Sequence, residues 1–287
     1  MTARRQFMFG TAACATALPS LTACSTSADE QEAARALRRI NSAVGPTANA
    51  SSSKDAAAVK QELVRYATLA PSSHNTQCWR FHIAEASITI TPDLTRRCPA
   101  VDPDDHHLFV SLGCATENLV HAALAMGLHA DARFDPAGDG RIAVSLDAAQ
   151  PSASPLFRAI TERQCTRGDY DGQALAASEL KLLEAAGTGQ GVHVRLLTAR
   201  PAMESVLDYV VAGNTAQMSD PAFVAELKAW IRFGADEALR TGDGLFAGAS
   251  GNPALPRWLG SRLMGLFFTP KSETNTASPA ELRICHA

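Results

Sequence analysis

Residues 70–81 read Ala-Pro-Ser-Ser-His-Asn-Thr-Gln-Cys-Trp-Arg-Phe. A loop stiffened by Pro71, carrying the hydroxyls of Ser72 and Ser73 and the amides of Asn75 and Gln77, has the directed donors and acceptors needed to hold a polar, planar heterocycle. The same residue types also build an ordinary helix-to-strand turn with an Asx cap, which is the commoner origin of such polar loops when they are taken alone. A second group lies at Arg163, Thr166 and Arg167. If that stretch is helical, the two arginines share a face, and their guanidinium forks suit a phosphate; taken alone they read rather as solvated surface arginines, which are common. Other chemistries lack their residues. His106, His107 and His121 could suggest a metal site, but no set of cysteine, histidine and carboxylate has ligand spacing, and histidines along a helix are usually surface residues. Gly187-Thr188-Gly189-Gln190-Gly191 follows a helical pattern and precedes a strand pattern, the reverse of a Rossmann phosphate loop. No G-x-S-x-G nucleophile elbow occurs.

The elements around these residues follow from hydrophobic spacing. Val59, Leu63, Tyr66 and Ala67 recur at helical intervals and predict a helix over 55–69, stopped before Pro71. Alternating residues over 79–84 and 87–91 predict a hairpin. Leu108, Leu112, Ala115, Leu119, Ala122 and Met126 mark a long helix that starts at the negative charges of Asp104 and Asp105 and stops at Gly127. Strands are expected over 129–134 and 141–146, then a Pro/Ser linker over 150–155. Beyond it we expect helices over 156–162, 178–186, 203–217 and 221–233 and a strand over 192–197, so that both halves mix helices and strands.

The whole sequence of 287 residues has a net charge of -3, with 46% hydrophobic and 19% charged residues. That is a globular composition, without the basic surface that nucleic acid would require. At the N-terminus Arg4-Arg5-Gln6-Phe7 precedes an apolar stretch reaching Ala23, too short for a comfortable bilayer span but suited to a signal segment. It resembles a twin-arginine export signal, which passes folded, cofactor-loaded proteins across a membrane. Leu21-Thr22-Ala23-Cys24 resembles a lipobox, which implies cleavage before Cys24 and acylation of its thiol. We therefore expect a signal peptide over 1–24, a Ser/Ala-rich tether over 25–54, and a membrane-anchored lipoprotein in the periplasm or cell envelope. Cys78, Cys98, Cys114, Cys165 and Cys285 show no paired spacing and read mostly as buried thiols.

The 70–81 stretch resembles the flavin-binding loop of the nitroreductase family, in which Ala-Pro-Ser-x-x-Asn-x-Gln-Pro-Trp recurs, with Cys78 standing where that family usually has proline. Ser111-Leu112-Gly113-Cys114-Ala115-Thr116-Glu117-Asn118-Leu119 resembles its central helix, and more narrowly that of the Acg-like branch, whose members look like two nitroreductase halves fused in one chain. The 159–170 stretch resembles the Arg-rich start of a nitroreductase subunit.

The resemblance implies an α+β nitroreductase-like fold of two pseudo-symmetric halves, 55–150 and 151–287, each with a mixed sheet flanked by helices, in a monomer that mimics a dimer. It implies an FMN site built from Pro71, Ser72, Ser73, Asn75 and Gln77 of the first half and Arg163, Thr166 and Arg167 of the second. No catalytic side chain and no metal would be needed, because the flavin would pass hydride from NAD(P)H to a nitro compound, quinone or similar small acceptor. Acg-like proteins continue past the turn at Asp243-Gly244-Leu245 into a strand, a long helix and a closing strand that the tail over 278–287 does not resemble. The expectation is thus an incomplete second half. The alternatives are a flavin-storing lipoprotein without turnover and an inactive truncated relic.

Overall fold

The computed structural model describes residues 53–136, 138–165, 171–250 and 255–267, together with Glu32 and Arg35. The expected signal segment with Cys24, most of the tether, Thr166, Arg167 and the tail beyond residue 267 lie outside the described residues. Within the tether, Glu32 and Arg35 are helical and form an exposed ion pair at 3.8 Å. The chain divides into two compact units, Met1–Gln164 with Glu226–Gly260, and Cys165–Ala225 with Ser261–Ala287.

In the first unit, helix α1 (Ser53–Ala67) starts with Asp55 and ends with Arg65, charges that complement the helix dipole. Its stripe of Val59, Leu63, Tyr66 and Ala67 is buried as the spacing predicts. Strands β1 (Trp79–Ile83) and β2 (Ser87–Pro92) form the expected antiparallel hairpin, with Trp79 opposite Pro92 and Ile83 opposite Ile88. Helix α2 (His106–Ala125) buries Leu108, Leu112, Ala115, Leu119 and Ala122, and Gly127, at φ 77°, turns the chain out of it. The helix begins after Asp104 and Asp105, as expected, with Asp105 at the N-cap position, although its side chain makes no capping bond. The side-chain capping comes from Asp102, whose two carboxylate oxygens each accept at 3.0 Å, one from the amide of His107 and one from that of Leu108. Asp105 instead adopts a left-handed backbone at φ 57° and pairs with Arg97 at 3.0 Å.

Strands β3 (Leu128–Phe134) and β4 (Ile142–Ala148) pair antiparallel, and β4 also pairs with β2, giving the order β1-β2-β4-β3. The sheet is antiparallel throughout, which corrects the mixed sheet expected for this half. Ile88, Ile90, Val144 and Leu146 alternate onto its covered face and meet the apolar sides of α1 and α2. Helix α3 (Pro155–Glu162) is capped by the Ser154 hydroxyl, which accepts from the Phe157 amide, and starts on Pro155. Its Phe157 tilts against Tyr66 with ring centroids 5.1 Å apart, and Ile160 completes the core.

The second unit is helical among its described residues. It contains α4 (Ala177–Gly187) and α5 (Arg200–Ser219), and α6 (Pro221–Trp230) leads back to the first unit. The strand expected over 192–197 does not form. Among the described residues an isolated bridge between Gly189 and Val192 is the one β contact there, because the alternation of Val192, Val194 and Leu196 finds no neighbouring strand among them to complete a ladder. The helix expected to reach Phe233 ends at Trp230, and Ile231–Arg232 becomes a short strand, β5. After α7 (Ala235–Thr241), β6 (Leu245–Phe246) pairs with β5 in parallel, and α8 (Arg257–Phe267) follows.

Leu119 has no exposed surface and sits at the middle of the α2 stripe. Leu119→Ala should lower the unfolding free energy by about 2–5 kcal/mol, through lost transfer energy and the cavity left behind. A urea melt followed by circular dichroism measures it, and a change within 0.5 kcal/mol, roughly that of a surface substitution, would contradict the packing described.

Candidate functional site

The polar loop that follows α1 is wound tightly by its own bonds. The Asn75 amide donates to the Ser72 carbonyl and the Thr76 amide to the Ser73 carbonyl, both at 2.9 Å, closing a 3-10 turn over Ser73–Asn75. The Ser72 hydroxyl accepts from the Gln77 amide at 3.0 Å. Three residues outside glycine, His74, Asn75 and Gln77, stand at φ 48°, 52° and 52°. Such left-handed positions cost of order 1–3 kcal/mol each and persist only where surrounding structure holds them, asparagine paying least. Below the loop, Cys78 and Trp79 are buried, and the Cys78 thiol faces the Leu108 carbonyl of α2 at 3.9 Å. Cysteine in place of the family's proline therefore seats the start of β1 on α2 without opening the loop.

What holds the loop from the other side is the turn between α7 and β6. The Gly244 amide donates to the Asn75 carbonyl at 3.0 Å, and the Asn75 side-chain amide donates back to the Gly244 carbonyl at 3.1 Å. The Gln77 side-chain amide donates to the Gly242 carbonyl. Gly244 stands at φ 79°, and a β-carbon there would lie 2.5 Å from the Trp230 carbonyl, so both conformation and space require glycine.

Asp243, between these glycines, fixes the turn to the body of the unit. One carboxylate oxygen accepts from Arg232 Nη2 at 2.7 Å and from Nε at 3.1 Å; the other accepts from Arg96 at 2.8 Å. Through the same Nη1, Arg96 also donates to the Thr76 carbonyl at 2.8 Å, so one guanidinium ties loop to turn. Burial pushes the Asp243 carboxyl up, but the hydrogen bonds from Arg232, Arg96 and Thr241 outweigh it and hold the group below the ordinary carboxylate range. Arg80 stands nearby on Asp93, whose carboxylate also accepts from the amide and hydroxyl of Thr95. Chiefly through the Arg80 bond, Asp93 is pulled down to about 2.

The structure brings Pro71, Ser72, Ser73, Asn75 and Gln77 together in this loop, with Ser72 and Ser73 half-buried and Asn75 and Pro71 exposed. Arg163 is exposed and reaches the loop's beginning, donating to the Leu69 carbonyl at 3.0 Å. Arg163 follows α3, which ends at Glu162, as its extended C-cap at ψ 131°, and Arg167 lies outside the described residues. Arg96, Arg232 and Asp243 were not foreseen. Their hint in the sequence was the Thr241-Gly242-Asp243-Gly244 turn, whose paired glycines mark left-handed backbone around an acid.

Among the described residues no group of three histidine, cysteine or acidic side chains could hold a metal ion. The Cys98 sulfur lies 3.7 Å from His74 Nδ1, yet burial pushes that thiol up to about 12, and Cys78 and Cys114 are also raised by burial. What the loop provides is a set of hydroxyl and amide groups, carried on a stiff backbone, beside an exposed guanidinium.

No family model matches the chain. It is similar to two curated proteins of Mycobacterium tuberculosis, from strains CDC 1551 / Oshkosh and ATCC 25618 / H37Rv, each named "Putative NAD(P)H nitroreductase". Each is 28% identical over 193 residues, which make up 65% of this chain and 54% of the relative. The chain thus spans about half the length of the curated relatives it matches. This similarity supports the nitroreductase resemblance, and the observed architecture of helices on an antiparallel sheet is α+β, compatible with that fold.

Asp243→Asn should destabilise the first unit by on the order of 3 kcal/mol, because the Arg232 side chain, 9% exposed, would lose its compensating charge. A loss below about 0.5 kcal/mol in denaturant melts would show the pair to be idle. Asp93 titrates lower in the folded chain than in the unfolded one, so its contribution is present above about pH 4 and is lost as pH falls toward about 2. Asp93→Asn should therefore flatten stability against pH in that acid window and leave its slope near neutrality unchanged. An identical acid slope in both proteins would count against the Arg80 pairing.

Proposed function

We propose that this chain is an FMN-binding oxidoreductase of nitroreductase type, using NAD(P)H to reduce a small acceptor such as a nitro compound or quinone. The observation that carries this reading is the loop over 71–77, held in a left-handed conformation that gathers Ser72, Ser73, Asn75 and Gln77, in a chain similar to proteins bearing that name.

The residues present fit such a cofactor by the chemistry of their donors and acceptors. The half-buried hydroxyls of Ser72 and Ser73 can donate to ring carbonyls, and the side-chain amides of Asn75 and Gln77 can donate to ring carbonyls through their N–H groups and accept from a ring N–H through their oxygens. The exposed guanidinium of Arg163 suits the phosphate, and Thr166 and Arg167, next in sequence, belong to the same proposed set. When bound, FMN supplies the redox chemistry, accepting hydride from the nicotinamide and passing electrons to the acceptor. The chain's own residues orient the ring and offer hydrogen bonds to it, and no side chain acts as nucleophile or base.

Fusion of two nitroreductase-like halves, so that a monomer mimics a dimer, belongs to the same proposal and rests on the likeness of the 111–119 and 159–170 stretches. So do twin-arginine export and a lipid anchor at Cys24 in the cell envelope, supported by Arg4-Arg5-Gln6-Phe7 and Leu21-Thr22-Ala23-Cys24.

The test is to mix the purified chain with FMN, pass it through gel filtration, and add NAD(P)H under nitrogen. We expect flavin absorbance to co-elute with protein and to bleach. Flavin that co-elutes without bleaching would identify a storage protein, and colourless folded protein would sink the flavin reading. Arg163→Ala and Arg167→Ala should weaken retention more than Cys78→Pro, and equal retention in all three would rule out the arginines as phosphate ligands.

A further inference from the structure

The side-chain amides of Asn75 and Gln77 are partly engaged within the chain. Asn75 donates an N–H to the Gly244 carbonyl and Gln77 donates one to the Gly242 carbonyl, so two backbone carbonyls of the 241–245 turn take donors that the carbonyls of a ring could otherwise use. The reciprocal Gly244-to-Asn75 bond makes the contact two-way. The turn is not held by these bonds alone, since Asp243 secures it through Arg232, and Arg96 links it to the Thr76 carbonyl of the loop.

From this geometry we infer that the 241–245 turn is an autoinhibitory latch, a segment of the chain that occupies the Asn75 and Gln77 amides until a flavin displaces it. The inference rests on the flavin-binding reading above. Its physical content is a competition between two sets of carbonyl acceptors for the same donors. Closed turn and flavin compete for these N–H groups, so apparent affinity falls to the intrinsic affinity multiplied by the fraction of molecules in which the turn is open. Arg96 sets that fraction, because it holds both partners and is the more exposed of the two guanidiniums, its side chain 37% accessible against 9% for Arg232. Removing it loosens the latch while the Arg232–Asp243 pair still anchors the turn.

The test uses the full chain, with FMN as the probe. Flavin fluorescence titrations compare wild type with Arg96→Gln, and amide hydrogen exchange of the 241–245 turn is followed in wild type with and without saturating FMN. If the latch is closed in about nine molecules of ten, Arg96→Gln should bind FMN about tenfold more tightly. The Gly244 amide, released from Asn75, should exchange faster in the flavin-bound protein. Slower exchange at Gly244 on binding FMN would make the turn a fixed wall of the site and overturn the latch while leaving the flavin reading intact. Unchanged or weaker binding by a folded Arg96→Gln would do the same. If neither protein takes up FMN, the flavin reading fails and the latch fails with it. The exchange measurement needs only wild type, so it decides the matter even where the variant folds poorly.

Discussion

The first unit depends on burial of one side of α2. Twenty residues of helix present an apolar stripe from Leu108 to Ala123 to both α1 and the sheet, and each large aliphatic side chain removed from water there contributes about 1.5–3 kcal/mol. The same helix positions its neighbours through polar contacts: Asn118 donates to the Tyr66 carbonyl of α1, the Leu124 carbonyl accepts from Ser152 ahead of α3, and the Leu108 carbonyl meets Cys78 at the end of the polar loop. With so many elements resting on it, α2 has no freedom to shift, and the loop between α1 and β1 inherits that rigidity. Although α2 is also the one described helix long and apolar enough to cross a membrane, its stripe is spent on the protein core.

Rigidity at one end permits strain at the other. His74, Asn75 and Gln77 hold backbone angles that a free peptide would abandon, and they do so because the facing turn and the two arginines around Asp243 leave them no alternative. Charge and conformation are therefore coupled. The buried carboxylate is stable as an anion only beside Arg232 and Arg96, and the arrangement that keeps them there also keeps the two polar segments facing each other. Such coupling is a usual property of binding sites, where directed groups must be positioned before a ligand arrives.

Much of this was legible in residue spacing, and the part that was not has a common cause. The stripes of α1 and α2 and the alternation in β2 and β4 are local patterns whose period reports the element directly. The polar loop was picked out by the residue types it gathers. The Asp243 cluster could not be read in this way, because Arg96 and Asp243 lie 147 residues apart and no local pattern links them. One misreading arose from local pattern taken without its partner. Val192, Val194 and Leu196 alternate as a strand would but have no adjacent strand among the described residues. The choice of Asp102 over Asp104 and Asp105 as the cap of α2 was equally beyond spacing, since it depends on which carboxylate the preceding turn aims at the first free amides.

The buried sulfurs give this region a natural reporter. Cys78 adjoins the polar loop in sequence and Cys98 lies against its His74, and both are sealed from solvent with thiols that resist ionisation. A thiol-reactive dye takes the exposed Cys165 first and reaches Cys78 and Cys98 only when the structure that covers them opens, so the labelling rate of those two, resolved from the other thiols, reports how often it does. The protein thus carries an intrinsic clock for its own breathing at the site, without any probe having to be introduced.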